Sequence, residues 1–181
     1  YNTNGTQFPE QAEEIWKHFK LIEIAFSIDD VEERFEYQRA NAVWTEVNAN
    51  MDRFEAMRDR NTNIQLQVCS TVNVFNVMYL EGLANWIDTR SFDFVYWNML
   101  HEARYHSVGT LPTRAKELVS NRLMASKVSD FHMKEFVKIV DFIQAGTSLD
   151  GKELRSSVAE VDRRRQQDLC THHPELADAI A

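Results

Sequence analysis

The sequence predicts an α/β fold, a partial parallel (β/α) barrel followed by an all-helical C-terminal segment. Three observations carry that expectation. Stretches alternating every second residue are interleaved with stretches of helical spacing, and this order implies parallel strands joined by crossover helices. In two of the three clearest strands a row of apolar residues lies opposite a row of polar or small ones, whereas a parallel sheet covered on both faces reads as continuous apolar runs. A barrel accounts for that pattern, with apolar side chains meeting outer helices and the polar row lining an interior that takes a polar ligand. Finally, 181 residues with 44% hydrophobic and 11% aromatic content can bury a sizeable core and exclude wholesale disorder. Three strands cannot close a barrel, so the expected sheet is an arc.

The elements follow in order. Tyr1 to Thr3 reads as the end of a strand. Pro9 suits a first helical position, with Ile15, Trp16 and Phe19 at helical spacing behind it. Leu21 to Asp29 alternates, placing Ile22, Ile24, Phe26 and Ile28 on one face and Glu23, Ala25, Ser27 and Asp29 on the other. A short helix is expected from Asp30 to Arg39, and a long one from Asn41 to Arg60 with Trp44, Val47, Met51 and Phe54 as its buried stripe. Asn63 to Val72 alternates again, with Ile64, Leu66 and Val68 opposite Gln65, Gln67, Cys69, Thr71 and Asn73. Val77, Leu80, Leu83, Ala84 and Ile87 mark a helix, and Phe92 to Met99 a third, aromatic-rich strand that alternates less cleanly. Beyond Pro112 the pattern is helical at 112–126, 129–145 and 151–169, broken at Gly146 and Gly151, with a short turn or helix after Pro174. The expected organisation is a barrel core over 1–110 and a helical extension over 111–181.

Charge and cysteine content bound the function. Acidic residues outnumber basic ones 28 to 20, a net charge of −8, which argues against a phosphate-tracking surface and so against nucleic acid as partner. No apolar run reaches the ~20 residues that span a bilayer and no secretory signal pattern is present, so no membrane partner is expected. The two cysteines, Cys69 and Cys170, make neither a disulfide framework nor a zinc site, and a reduced, cytoplasmic setting is the plainer reading. The chain opens Tyr-Asn-Thr-Asn-Gly-Thr, with neither Met nor leader, and reads as the later part of a longer protein.

In a β/α barrel the active site lies at the C-terminal ends of the strands. Those ends here carry Asn4-Gly5-Thr6, Ser27-Ile28-Asp29-Asp30, Thr71-Val72-Asn73 and Asn98-Met99-Leu100-His101, all polar and suited to a small polar molecule. Capping of the following helices is the competing explanation at each position.

These residues resemble the radical SAM superfamily, in particular members associated with SPASM or twitch auxiliary domains. The resemblance rests on Thr3-Asn4-Gly5, on Phe26-Ser-Ile-Asp-Asp-Val-Glu-Glu-Arg-Phe-Glu-Tyr-Gln-Arg39 followed by Trp44, and on the Thr71-to-Asn76 strand end. Asn98-Met-Leu-His101, Leu111-Pro112 and Lys116 add to it, and it covers residues 1–125 best. It implies strands three to six of a half-open TIM-like barrel. In that family the barrel holds a [4Fe–4S] cluster and S-adenosylmethionine, which is cleaved reductively to a 5′-deoxyadenosyl radical that abstracts hydrogen from a peptide or small polar substrate. By resemblance Ser27 and Arg39 hold the carboxylate of S-adenosylmethionine, and Asn4, Asp29, Thr71 and Asn73 face the rest of the cofactor or the substrate. The chemistry suits Arg39, since a guanidinium grips a carboxylate through two parallel charge-assisted hydrogen bonds. A surface ion pair with Glu36 or Glu32 is the alternative for that residue.

The family's CxxxCxxC motif is absent, and two cysteines cannot supply the three thiolates of the cluster. The resemblance therefore implies that the missing N-terminal portion of the same protein is a partner and that the parent takes electrons from a flavodoxin or ferredoxin. The present chain alone is expected to bind no cluster, to hold no metal and to catalyse nothing. Other candidates remain. His101, with Asn98, is a candidate substrate-facing residue, and Glu102 and His106 could join it as ligands or a proton relay. His172-His173 reads as a solvent-exposed pair, Arg163-Arg164-Arg165 as a solvated face, and Cys69 as a buried small residue. Two other classes stay open: a β/α-barrel lyase or isomerase working by proton transfer, and a non-catalytic partner-binding module formed by the C-terminal helices.

Overall fold

The computed structural model describes residues 1–102 and 104–181. It is an α/β fold with a four-stranded parallel sheet, strand order β1-β2-β3-β4, and trailing C-terminal helices. The strands are β1 (Asn2–Thr3), β2 (Ile22–Phe26), β3 (Ile64–Val72) and β4 (Phe94–Met99). The helices between them are α1 (Ala12–Trp16), α2 (Glu32–Gln38), α3 (Trp44–Arg60) and α4 (Leu80–Asp88). Thr3 pairs with Phe26 and Phe26 with Val68, which aligns the C-terminal ends of the first three strands. Among the described residues no helix is long and apolar enough to cross a membrane.

The chain divides into two compact units. The first comprises residues 1–70 and 86–97. Its core follows the alternation of the strands: Ile24, Phe26, Leu66 and Val68 are buried, as are Val47, Met51, Phe54 and Met57 along α3. Phe26 meets Phe54 edge-on at 5.2 Å between ring centres, and Trp44 meets Trp86 at 5.1 Å. Burying a large apolar side chain contributes ~1.5–3 kcal/mol, so this stripe is the main reason α3 is helical there. The polar row of β3 is used differently. Gln67 is itself buried and donates from Nε2 to Glu23 Oε1 at 2.9 Å, a cross-strand pairing on that face.

Helix α1 departs from expectation. Pro9 does not open the helix. Its carbonyl accepts the Ala12 N–H at 2.9 Å as a turn, and the helix starts three residues later. Five residues cannot bury a full stripe, so Ile15 and Phe19 stay exposed while Trp16 leans on Tyr1 at 5.3 Å. Strand β4 alternates more strictly than its sequence suggests, exposed and half-buried in turn from Phe94 to Met99.

The second unit comprises residues 71–85 and 98–181. It holds α5 (Thr113–Ala125), α6 (Asp130–Ala145), α7 (Lys152–Arg165), α8 (Leu169–His172) and α9 (Pro174–Ala179). Val119 and Leu123 of α5, Phe136, Ile139 and Ile143 of α6, and Leu176 of α9 are buried. Gly146 ends α6 where a Cβ would come within 2.2 Å of the Gly109 carbonyl oxygen, so a larger residue there would push two backbones apart. The Gly146 carbonyl accepts the buried Lys116 ammonium at 2.8 Å, which satisfies the helix end and the cation together. Arg122 grips Glu175 through both guanidinium nitrogens and also donates to the Met78 carbonyl at 3.2 Å.

Candidate functional site

The residues after β2 form a charged cluster at the end of the strand. The Ser27 N–H donates to the Thr3 carbonyl at 2.8 Å, which carries the β1–β2 ladder one step beyond the strand and fixes the half-buried Ser27. Ile28 is fully buried, and its carbonyl accepts the Ser70 hydroxyl from the end of β3. The chain then turns with Asp29 and Asp30 pointing to different partners.

Asp29 accepts from Arg39 Nη2 at 2.6 Å, and both side chains are partly buried. Arg39 stands at the C-terminal end of α2, its N–H donating to the Phe35 carbonyl at 2.9 Å and its guanidinium carbon 5.7 Å from the centre of the Phe35 ring. The guanidinium is therefore held from two sides, by a carboxylate and by an aromatic ring. Its Nε is buried and has no hydrogen-bond partner. A guanidinium presents five donors in a fixed fork, and a donor buried without an acceptor costs ~1–3 kcal/mol. The alternative pairing with Glu32 or Glu36 does not form: Glu36 is occupied with the Trp44 N–H at 2.7 Å.

Asp30 is completely buried. Its Oδ1 accepts the Val31 N–H at 2.8 Å and Arg34 Nε at 3.1 Å, and its Oδ2 accepts Gln38 Nε2 at 3.4 Å. Burial pushes the Asp30 carboxyl up to about 7 against the lowering pull of Arg34 and the Val31 N–H, with Asp29 adding to the rise. Two residues on, Glu32 has a left-handed backbone (φ 54°), which costs a non-glycine residue roughly 1–2 kcal/mol. Spacing alone does not single out Asp30. An acidic residue before a helix reads as an ordinary cap, and only the packing shows that the carboxylate is enclosed.

Asn4 is exposed and turns back on its own loop, accepting from the Thr6 N–H at 3.1 Å and the Thr6 hydroxyl at 2.7 Å. Gly5 has φ +78°, and an added Cβ would lie 2.9 Å from Val47 Cγ1, so this turn admits only glycine without rearrangement. Asn50 of α3 donates to the Gly5 carbonyl at 2.9 Å and pins the loop.

In the second unit, Thr71 and Asn73 meet each other and Asn76. The Asn73 N–H donates to Asn76 Oδ1 at 2.9 Å, Asn76 Nδ2 donates to the Thr71 carbonyl at 2.9 Å, and Asn73 Nδ2 donates to the same carbonyl at 3.1 Å. Asn73 Oδ1 takes the Phe75 N–H at 2.8 Å, an Asx-turn that starts the tight loop before α4. Asn98 and His101 are both exposed, and the His101 ring stands edge-on to Phe142 at 5.2 Å. Glu102 is exposed as well, while His106 is half-buried and its imidazole is lowered by burial.

No family model, curated protein or solved structure matches this chain. Its candidate chemistry therefore rests on its own residues. Among the described residues no group of three or more His, Cys, Asp or Glu side chains could hold a metal ion. Cys69 is half-buried on β3 with its thiol raised by burial, and Cys170 is exposed on α8.

The expectation of an exposed His172-His173 pair is overturned. His173 is fully buried, its ring 5.5 Å from Tyr79 and 6.1 Å from Phe75. The reason is backbone geometry: His173 joins α8 to α9 with φ −135°, ψ 58°, and this non-helical step turns its ring inward ahead of Pro174. The arginine run behaves as read, exposed, with Arg163 and Arg164 both on Glu160.

Proposed function

We propose that this chain is the later part of a radical SAM-type β/α barrel, and that Ser27 and Arg39 hold the carboxylate of S-adenosylmethionine. The observation that supports this best is the Arg39 guanidinium. It follows a strand end by a twelve-residue spacing from Ser27, is held in place by Asp29 and Phe35, and keeps a buried Nε with no hydrogen-bond partner. An incoming carboxylate would meet the partly exposed guanidinium with charge-assisted hydrogen bonds. Asn4 and Asp29 border the same strand ends. The four-stranded parallel sheet is compatible with strands three to six of a half-open barrel.

S-adenosylmethionine, when bound, supplies the group from which a radical could be made for hydrogen abstraction from a peptide or small polar substrate. The residues of this chain bind and orient its carboxylate. The chain does not fit the iron–sulfur cluster: its two thiols are one short of the three thiolates required. The cluster ligands would have to come from sequence beyond these residues, as would the docking face for a flavodoxin- or ferredoxin-type reductant.

One observation favours the acid–base lyase or isomerase reading, the Asp30 carboxyl near 7. Against it, Asp30 is enclosed and already accepts from three donors, which leaves no route for a substrate proton. Calorimetric titration of S-adenosylmethionine onto the chain separates the two. The expected result is saturable binding that weakens at least ~10-fold in Arg39→Met, the loss of one charge-assisted contact. Equal affinity in the native and Arg39→Met chains would remove the proposal.

A further inference from the structure

We propose that Asp30 is a positioning residue for Arg39: it fastens both ends of α2 to the end of β2 and so sets where the guanidinium lies. The use of that guanidinium on a carboxylate rests on the reading above, whereas the coupling of Asp30 to Arg39 does not.

The geometry assigns three anchors to one carboxylate. The Val31 N–H marks the entry to α2, Arg34 Nε its first turn and Gln38 Nε2 its last, and all three converge on Asp30. Gln38 immediately precedes Arg39, so the contact at the far end of the helix lies one residue from the guanidinium it would place. Val31, the residue at the helix N-cap, has no side chain able to cap, and its own N–H is held by the Asp30 carboxylate. The left-handed Glu32 shows that the entry is held against its own preference. Phe35 and Tyr37, two residues apart and so on different sides of the helix, are both buried, which packs α2 while Asp30 holds its polar groups.

The charges around Asp30 can be named. Arg34 faces it from α2, and Asp29 precedes it in the turn and carries Arg39. Protonation of Asp30 weakens its hold on Arg34 and Gln38, because a neutral carboxyl accepts hydrogen bonds less strongly than a carboxylate. The placement of Arg39 therefore loosens as Asp30 takes up a proton, at about pH 7.

The test is solution NMR on the whole chain, following the Arg39 Nε–H signal and the Asp30 carboxyl carbon across pH, with Arg39→Lys used to assign the former. The expected result is that both move with one midpoint near 7. In Asp30→Asn the Arg39 signal should differ from native at pH ~8 and lose the transition near 7, since Asp30 no longer ionises. Arg34→Gln covers the case in which Asp30→Asn does not fold. Removing the cation that lowers the Asp30 carboxyl should raise its midpoint and carry the Arg39 midpoint with it. An Arg39 signal that ignores Asp30 ionisation, or that is identical in native and Asp30→Asn chains, overturns the proposal. Absence of S-adenosylmethionine binding overturns the proposed function instead and leaves this coupling to the NMR result.

Discussion

Two strand ends in this chain start from the same kind of sequence and finish as different chemistry. After β2 the polar residues are charged, and one carboxylate is buried while a guanidinium donor stays unpaired. After β3 they are neutral amides, and Asn73, Asn76 and the Thr71 carbonyl spend their hydrogen bonds on one another. The first arrangement leaves one buried guanidinium donor without a hydrogen-bond partner. The second consumes its polar groups in building a turn. Polar residues at a strand end can thus finish in either arrangement, and the local packing decides which.

The largest expected consequence concerns Asp30. Its folded-state carboxyl titrates near 7, well above the 3.8 of an unfolded chain, so the folded protein binds more protons in the interval between. Stability is therefore fully present below pH ~4 and is lost as pH rises through about 7, after which it is flat with respect to this group. The difference between the folded and unfolded values corresponds to a loss of up to ~4 kcal/mol. Denaturant unfolding at a series of pH values should show that decline in the native chain and a much flatter profile in Asp30→Asn. No corresponding decline is expected from the neutral turn after β3. Equal slopes in the two chains would show that Asp30 is not the group responsible.

The next effect breaks the other region. Asn76 is fully buried, and replacing it with alanine removes the Oδ1 that accepts the Asn73 N–H and the Nδ2 that donates to the Thr71 carbonyl. A cost of ~2–3 kcal/mol in unfolding free energy follows, with no dependence on pH. The ligand contrast is smaller. Arg39→Met should cost about tenfold in S-adenosylmethionine affinity, ~1.4 kcal/mol, with little change in stability, whereas Asn73→Ala should lower stability and leave that affinity unchanged. If Asn73→Ala weakened binding as much as Arg39→Met, the distinction between the two strand ends would fail.

Much of this organisation was legible in the sequence. The alternation of Ile24, Phe26 and Ile28 and of Leu66 and Val68 marks buried rows, and the spacing of Trp44, Val47, Met51 and Phe54 marks the inner face of α3; all are buried. Period and burial are the same information, so these elements needed no tertiary knowledge. The sites of misreading share a different cause. Whether Arg39 pairs with Glu36 or with Asp29 depends on how α2 returns over the strand end, which spacing along one helix does not contain. His173 is buried because of one non-helical backbone step, and Asp30 is enclosed because Arg34 and Gln38 fold over it. Hydrophobic pattern predicts which face is inside, but polar partnership is decided by three-dimensional packing.

The smallest expected effect sharpens the comparison at a third strand end. Asn4 follows β1 and belongs by position with the residues after β2, yet its carbonyl oxygen is engaged by Thr6 in an exposed turn, as the amides after β3 are engaged by each other. If engagement rather than position determines the role, Asn4→Ala should resemble a turn mutation. It removes two exposed hydrogen bonds, worth ~0.5 kcal/mol in total because water replaces them. Gly5 and the Asn50 contact would still hold the loop. Thermal unfolding should therefore shift by no more than a few degrees, and S-adenosylmethionine affinity should stay at the native value. A loss of affinity in Asn4→Ala comparable to that of Arg39→Met would mean that the turn opens on binding, and that position along the sheet, not satisfaction in the unliganded chain, selects the residues that meet the ligand.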